Sequence, residues 1–259
     1  MLRSLVVWLT FRCKFSCPYC SAGELDQHAG VEATGQQWIK ALNSLPPATI
    51  DLTGGEPFLH AGIYEIISGL DQKHHLGITT NLSLVEIDRL PQRDKISWTI
   101  SLHPTQFGKF AFQEFVEKAA LLKQKYKEIT VNYVATPIQM RELPRYHELF
   151  SSGGFRFHVD PDMRHFFTPA EIKFLAPYLL NDRITSAEGS NVACICNAGV
   201  EHVHVLPDGT VFRCYYHRRS LGNLFTRYHL CTSAEICSVN CRSGCDLDKV
   251  KRYSADGRL

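Results

Sequence analysis

Apolar and polar positions along the first 160 residues alternate between two periods. Short runs with period two occur at Leu5–Thr10, Thr49–Thr53, Gly77–Asn81, Ile96–His103, Ile129–Thr136 and Phe155–Asp160. Stretches with apolar residues three and four apart separate them, at Gly35–Leu45, Gly62–Leu70, a short one near Leu84–Leu90, Phe110–Tyr126 and Arg141–Phe150. The first period is that of a strand and the second that of a helix with one buried face. Six strands alternating with helices predict βα units around a parallel sheet. Six units are too few for a closed eight-stranded barrel, so the pattern predicts an α/β fold built as a partial, open (β/α)6 TIM-type barrel.

The strands also predict what the inside of that barrel is like. Ser97, Thr99, Ser101 and His103 share one face of the fourth run, against Ile96, Trp98, Ile100 and Leu102 on the other. Thr130, Asn132 and Thr136 on the fifth run, and Arg156, His158 and Asp160 on the sixth, continue the polar face. Helices need the apolar face to pack on, so the polar face is expected to line the lumen as a wet cavity for a polar ligand.

After residue 165 the pattern changes. Thr168-Pro169-Ala170-Glu171 combines a threonine cap, a first-turn proline and a capping-box glutamate, predicting a helix over Pro169–Leu180. Val200–Leu206 and Thr210–Tyr216 flank Pro207-Asp208-Gly209, which reads as a hairpin. The expected division is a barrel at 1–165, a linker helix at 166–187 and a small hairpin-containing region at 188–259.

Composition narrows the function. The chain has 259 residues, 44% of them hydrophobic, and a net charge of +2. That charge favours neither nucleic acid nor an anionic membrane as partner, and no run reaches the ~18 apolar residues of a spanning helix. The basic run Lys118 to Lys127 reads as the solvated face of a helix. The start, Met1 to Thr10, lacks the layout of a signal peptide. A cytoplasmic location is the expectation. Ten cysteines are many for such a chain, and in a reducing compartment they point to metal rather than disulfides. They fall in two groups, three at 13–20 and seven at 194–245.

The first group, Cys13, Cys17 and Cys20, has the spacing C-x3-C-x2-C directly after the first strand run, with Tyr19 before the last cysteine. Three thiolates can hold a metal centre and leave one coordination position for chemistry. A zinc knuckle with a fourth ligand from elsewhere is the bland alternative, and this spacing is unusual for zinc. Gly54-Gly55-Glu56-Pro57 follows the second strand run; its glycines allow close backbone approach to a ligand and its carboxylate can meet a cation.

Together these two motifs resemble the signature of the radical S-adenosylmethionine (radical SAM) enzymes. The resemblance implies a [4Fe–4S] cluster on Cys13, Cys17 and Cys20 with SAM on its fourth iron. It implies SAM contacts from Tyr19, Gly54, Gly55, Glu56, Asn81 and Ser101, and a partial barrel as the fold. It also implies one-electron cleavage of SAM to a 5′-deoxyadenosyl radical that abstracts hydrogen, with an electron donor such as flavodoxin or ferredoxin.

In the second group, Cys196 and Cys214 bracket C-x12-G-x4-C through Gly209, and Cys231, Cys237, Cys241 and Cys245 follow at C-x5-C-x3-C-x3-C. This resembles the SPASM and twitch extensions, which carry auxiliary [4Fe–4S] clusters. Tyr228 stands where a full SPASM motif has a cysteine, so one auxiliary cluster is expected, on Cys196, Cys214, Cys241 and Cys245, with Cys237 and Cys194 as substitutes. A structural zinc site is the alternative.

The substrate is the least legible feature. No leader-binding segment fits between Met1 and the first strand run or after Cys245, and Tyr215 stands where sulfatase-maturing relatives have an aspartate. The expected substrate is therefore a polar small molecule, held by His103, Asn132, Arg156 and His158, with modification of a ribosomally made peptide or protein as the alternative.

Overall fold

The computed structural model describes residues 2–20, 31–108, 110–162, 164–179, 194–237 and 251–252. Six parallel strands form in the predicted order: β1 (Ser4–Trp8), β2 (Thr49–Thr53), β3 (His75–Thr80), β4 (Ile96–Leu102), β5 (Glu128–Ala135) and β6 (Arg156–Pro161). Helices α1 (Gly35–Asn43), α2 (Ile63–Gly69), α3 (Phe112–Lys125) and α4 (Leu143–Ser152) lie in four of the five connections between them. Thr34 closes a capping box with Gln37 to start α1, and Trp38 and Leu42 on its inner face are fully buried.

The alternation of β4 is realised literally. Ile96, Trp98, Ile100 and Leu102 are buried beneath the helices, while Ser97, Thr99 and Ser101 stay half-exposed on the opposite face. β5 repeats this, with Ile129, Val131, Tyr133 and Ala135 buried and Thr130 and Asn132 half-exposed. The apolar faces join one core with α1 to α4, and the polar faces lie on the other side of the sheet.

The short helix expected near 84–90 is instead a single 3-10 turn at Ile87–Arg89. Pro91 follows at once, and the residue before a proline is driven out of the helical region, so the turn cannot lengthen. The capping box at Thr168 and Glu171 does start α5 (Pro169–Leu175). Pro177 lacks the amide needed to extend it, and the chain closes with a 3-10 turn at Ala176–Tyr178.

Beyond α5 come β7 (Cys194–Cys196), β8 (His202–Val205), β9 (Thr210–Phe212), β10 (Ser220–Asn223), β11 (Glu235–Cys237) and β12 (Lys251–Arg252). The Pro207-Asp208-Gly209 turn joins β8 to β9, with Gly209 at φ +83°. β8 pairs in parallel with β1, so the hairpin continues the barrel sheet. The result is nine strands in the order β10-β9-β8-β1-β2-β3-β4-β5-β6, open between β10 and β6. β11, β7 and β12 form a separate small sheet. Phe225, after β10, packs edge-on against Trp38 of α1 at 4.9 Å. No helix among the described residues is long and apolar enough to cross a membrane.

Candidate active site at the carboxyl end of the barrel

The cysteine loop leaves the carboxyl end of β1 and is held by backbone contacts with the turn after β2. Gly55 N donates to Thr10 O and Glu56 N to Arg12 O, each at 2.8 Å. The two glycines make this approach feasible. A Cβ on Gly54 (φ +150°) would lie 2.3 Å from Thr10 O, and one on Gly55 2.4 Å from Arg12 O. Arg12 is fixed in turn by Glu32, at 2.8 Å, and by donation to Leu59 O. That ion pair holds the Glu32 carboxyl below its ordinary range against the opposing effect of burial.

Glu56 itself is fully buried. Its carboxylate accepts from Phe58 N at 3.2 Å, Thr80 Oγ1 at 2.7 Å and Asn81 N at 2.8 Å. The side chain therefore ties the turn after β2 to the end of β3. Burial pushes its pKa up to about 7, with the three donors pulling the other way.

Other strand ends reach the cysteine loop as well. Asn81 Nδ2 lies 3.8 Å from Cys13 Sγ, and Phe15 N donates to the same sulfur at 3.4 Å. Ser16 N donates to Gln106 Oε1 after β4, and Arg164 after β6 donates to Pro18 O. Cys13 and Cys20 are near enough for their charges to interact, and burial raises the Cys13 thiol. Among the described residues no three Cys, His or carboxylate side chains converge on a single point. The N–H donors on Cys13 Sγ are of the kind that accompany the thiolate ligands of iron–sulfur clusters.

Tyr19 packs against His103. Its hydroxyl shares a 2.8 Å hydrogen bond with His103 Nδ1, and the two rings stack at 5.8 Å. Burial raises the Tyr19 phenol and depresses His103 to about 4, so at neutral pH the pair is an uncharged phenol and imidazole. Ser101, Asn132 and His158 are successive register partners across β4, β5 and β6 and form one row of the polar face. Asn132 Oδ1 is buried with no hydrogen-bond partner, and His158 bonds Asp160 at 3.1 Å. Arg156 lies at the start of β6, exposed and apart from that row.

In the second cysteine group, Cys196 and Cys214 are both buried, and their charges interact. Ala198 N donates to Cys196 Sγ at 3.5 Å and His217 N to Cys214 Sγ at 3.1 Å. Cys231 is half-buried, and its amide donates to Gly199 O. Cys194 and Cys237 are register partners between β7 and β11. Cys241 and Cys245 lie outside the described residues.

No family model matches the chain. A curated relative, the PqqA peptide cyclase of Granulibacter bethesdensis, is 27% identical over 165 residues, covering 58% of this chain and 44% of that protein. The alignment thus spans less than half the length of that relative. The solved structure of anSMEcpe with bound AdoMet has a TM-score of 0.64 at 18% identity, covering 88% of this chain and 79% of that one. A second anSMEcpe structure, with bound AdoMet and Cp18Cys peptide, gives 0.62 at 17% identity over the same shares. These solved structures share the fold of this chain.

The motif residues expected from the sequence are gathered at one end of the barrel. Cys13, Cys17, Cys20, Gly54, Gly55, Glu56, Asn81 and Ser101 all lie at the carboxyl ends of β1 to β4 or in the loops that follow them. Arg12, Thr80, Gln106 and Arg164 are not among the site residues expected from the sequence. Each braces the cysteine loop or Glu56, and their shared signal is position, within a few residues of a strand's carboxyl end.

Proposed function

We propose that this chain is a radical SAM enzyme that modifies a ribosomally made peptide or protein. The observation that carries the enzyme reading is the docking of the Gly54-Gly55 turn onto the cysteine loop by two backbone hydrogen bonds and direct glycine contact. It brings three thiols and the Glu56-bearing turn to one end of a polar-lined barrel. When bound, a [4Fe–4S] cluster with SAM supplies a 5′-deoxyadenosyl radical by one-electron cleavage of SAM. Cys13, Cys17 and Cys20 would hold the cluster. The carbonyl edge at Gly54 and Gly55, together with Asn81 and Ser101, would orient SAM. Glu56 would act mainly by fixing that edge, since its carboxylate already serves three donors. Tyr19 and His103 would form a neutral wall of the cavity.

The peptide reading rests on the likeness to a peptide cyclase and to a protein solved with a bound peptide. These likenesses favour it over the small-molecule substrate expected from the sequence. One observation keeps that second reading open: the row Ser101, Asn132, His158, with its unpartnered Asn132 Oδ1, is a polar wall able to hold a compact ligand. Residues 188–259 would carry a twitch-type auxiliary cluster, supported by two buried cysteines whose sulfurs accept N–H donors. A low-potential donor such as flavodoxin or ferredoxin and a reducing, cytoplasmic setting follow from the same chemistry.

The test is anaerobic reconstitution followed by SAM and dithionite. The chain is expected to release 5′-deoxyadenosine and methionine, and the Cys13/Cys17/Cys20→Ala variant to lose that activity and about four irons. Intact clusters with no 5′-deoxyadenosine at all would refute the enzyme reading. Stimulation of turnover by candidate precursor peptides, and not by sugars or amino acids, separates the two substrates.

A further inference from the structure

Arg213, next to Cys214, is 4% exposed and unusually placed for a guanidinium. Its Nε donates to Ala198 O at 2.9 Å, inside the turn that follows Cys196. Its Nη1 pairs with Glu235 at 2.8 Å, and Glu235 is the register partner of Cys196 across β7 and β11. One side chain thus ties together the segments that carry Cys196, Cys214 and Cys237. Glu235 is partly exposed and is shared with Arg219. Arg213 Nη2 is buried with no hydrogen-bond partner. A desolvated cation with two idle N–H donors calls for an anionic acceptor close by.

Gly199 makes the arrangement feasible. At φ +84°, a Cβ there would lie 2.8 Å from Cys231 Sγ and 2.9 Å from Arg213 Cγ. The missing Cβ therefore leaves room for both Arg213 and Cys231 against Gly199. Cys196 and Cys214 are both buried, on segments that the Arg213 side chain ties together. Two neighbouring buried thiolates repel, and a fixed positive charge in a poorly solvated site offsets that repulsion over a short range.

We propose that Arg213 is a positioning residue for an anionic iron–sulfur centre at Cys196 and Cys214, where its buried charge and free N–H edge raise the centre's reduction potential. This rests on the reading that residues 188–259 hold an auxiliary cluster. One-electron reduction adds a negative charge to the centre, and a nearby fixed cation stabilises the reduced form more than the oxidised one.

The experiment uses the full chain carrying Cys13/Cys17/Cys20→Ala, which leaves only the auxiliary site. It is reconstituted anaerobically and titrated with dithionite, the reduced cluster being followed by electron paramagnetic resonance. About four irons per chain are expected to remain. Arg213→Gln should shift the midpoint to more negative potential, and Arg213→Lys should restore most of it. Glu235→Gln, which removes the countercharge and keeps the guanidinium, should shift it to more positive potential, and this arm stands even where Arg213→Gln fails to hold iron. Unchanged midpoints, or shifts of the same sign in Arg213→Gln and Glu235→Gln, would overturn the assignment. Absence of iron from the Cys13/Cys17/Cys20→Ala parent would instead refute the auxiliary centre itself, and this inference with it.

Discussion

At the scale of single residues, the site is built from ionisable groups whose protonation is decided by burial. Glu56 holds its proton up to about pH 7, against an ordinary 4.5, because its carboxylate is enclosed. The folded state thus binds the proton more tightly than the unfolded chain. Stability from this group is complete below about pH 4.5 and is lost as pH rises through about 7, a loss of roughly 3 kcal/mol. Urea unfolding at pH 5 and pH 8 should show a decline that Glu56→Gln flattens; an unchanged decline would rule Glu56 out as its source. His103 works with the opposite sign. Its pKa falls from 6.5 to about 4, so its contribution is present above pH 6.5 and disappears as pH falls through 4. His103→Gln should therefore lessen the acid sensitivity of the unfolding midpoint between pH 6.5 and 4, and an equally steep acid limb would count against it.

At the scale of elements, backbone approach matters more than side-chain contact. The turn after β2 meets the cysteine loop through glycine. Gly55→Ala would drive a Cβ into the carbonyls of Phe11 and Arg12, both on the loop that carries Cys13. The expected result is a displaced loop, a stability loss of about 1–3 kcal/mol and a fall in SAM cleavage of about 100-fold. Gly108→Ala is the control, since a Cβ there meets nothing within 4 Å, and it should leave both unchanged. Unfolding midpoints and 5′-deoxyadenosine release check the pair; equal behaviour would mean that the glycine contact is incidental. The motif glycines were visible in the sequence, but their contact partner was not. Gly54 and Thr10 are separated by more than forty residues, and only the parallel pairing of β1 with β2 sets them side by side.

For the whole molecule, the placement of β8 is decisive. This strand follows β1 by nearly two hundred residues, yet it pairs with β1 and covers what would otherwise be an open edge. Leu5 and Val7 of β1 and Val203 and Val205 of β8 are all essentially inaccessible. A chain ending at residue 193 should expose the β1 edge and lose cooperative unfolding, because an unpaired apolar edge strand is a template for aggregation. Thermal melts followed by circular dichroism, with size-exclusion chromatography, test this. A monomer with an unchanged melting curve would show that the barrel does not need the hairpin strands.

The sequence by itself determined most of the elements, their buried faces and the division of the cysteines into two groups. Periodicity is local, so Ile96 to Leu102 announce their alternation without any neighbour, and Thr168 and Glu171 announce a helix start. The tertiary structure alone decided which distant segments share a sheet, that the Glu56 carboxylate is enclosed by Phe58, Thr80 and Asn81, that Tyr19 covers His103, and that Arg213 is buried beside Cys214. Those features depend on desolvation and on contacts between residues far apart in the chain. Neither leaves a periodic trace in the order of residues.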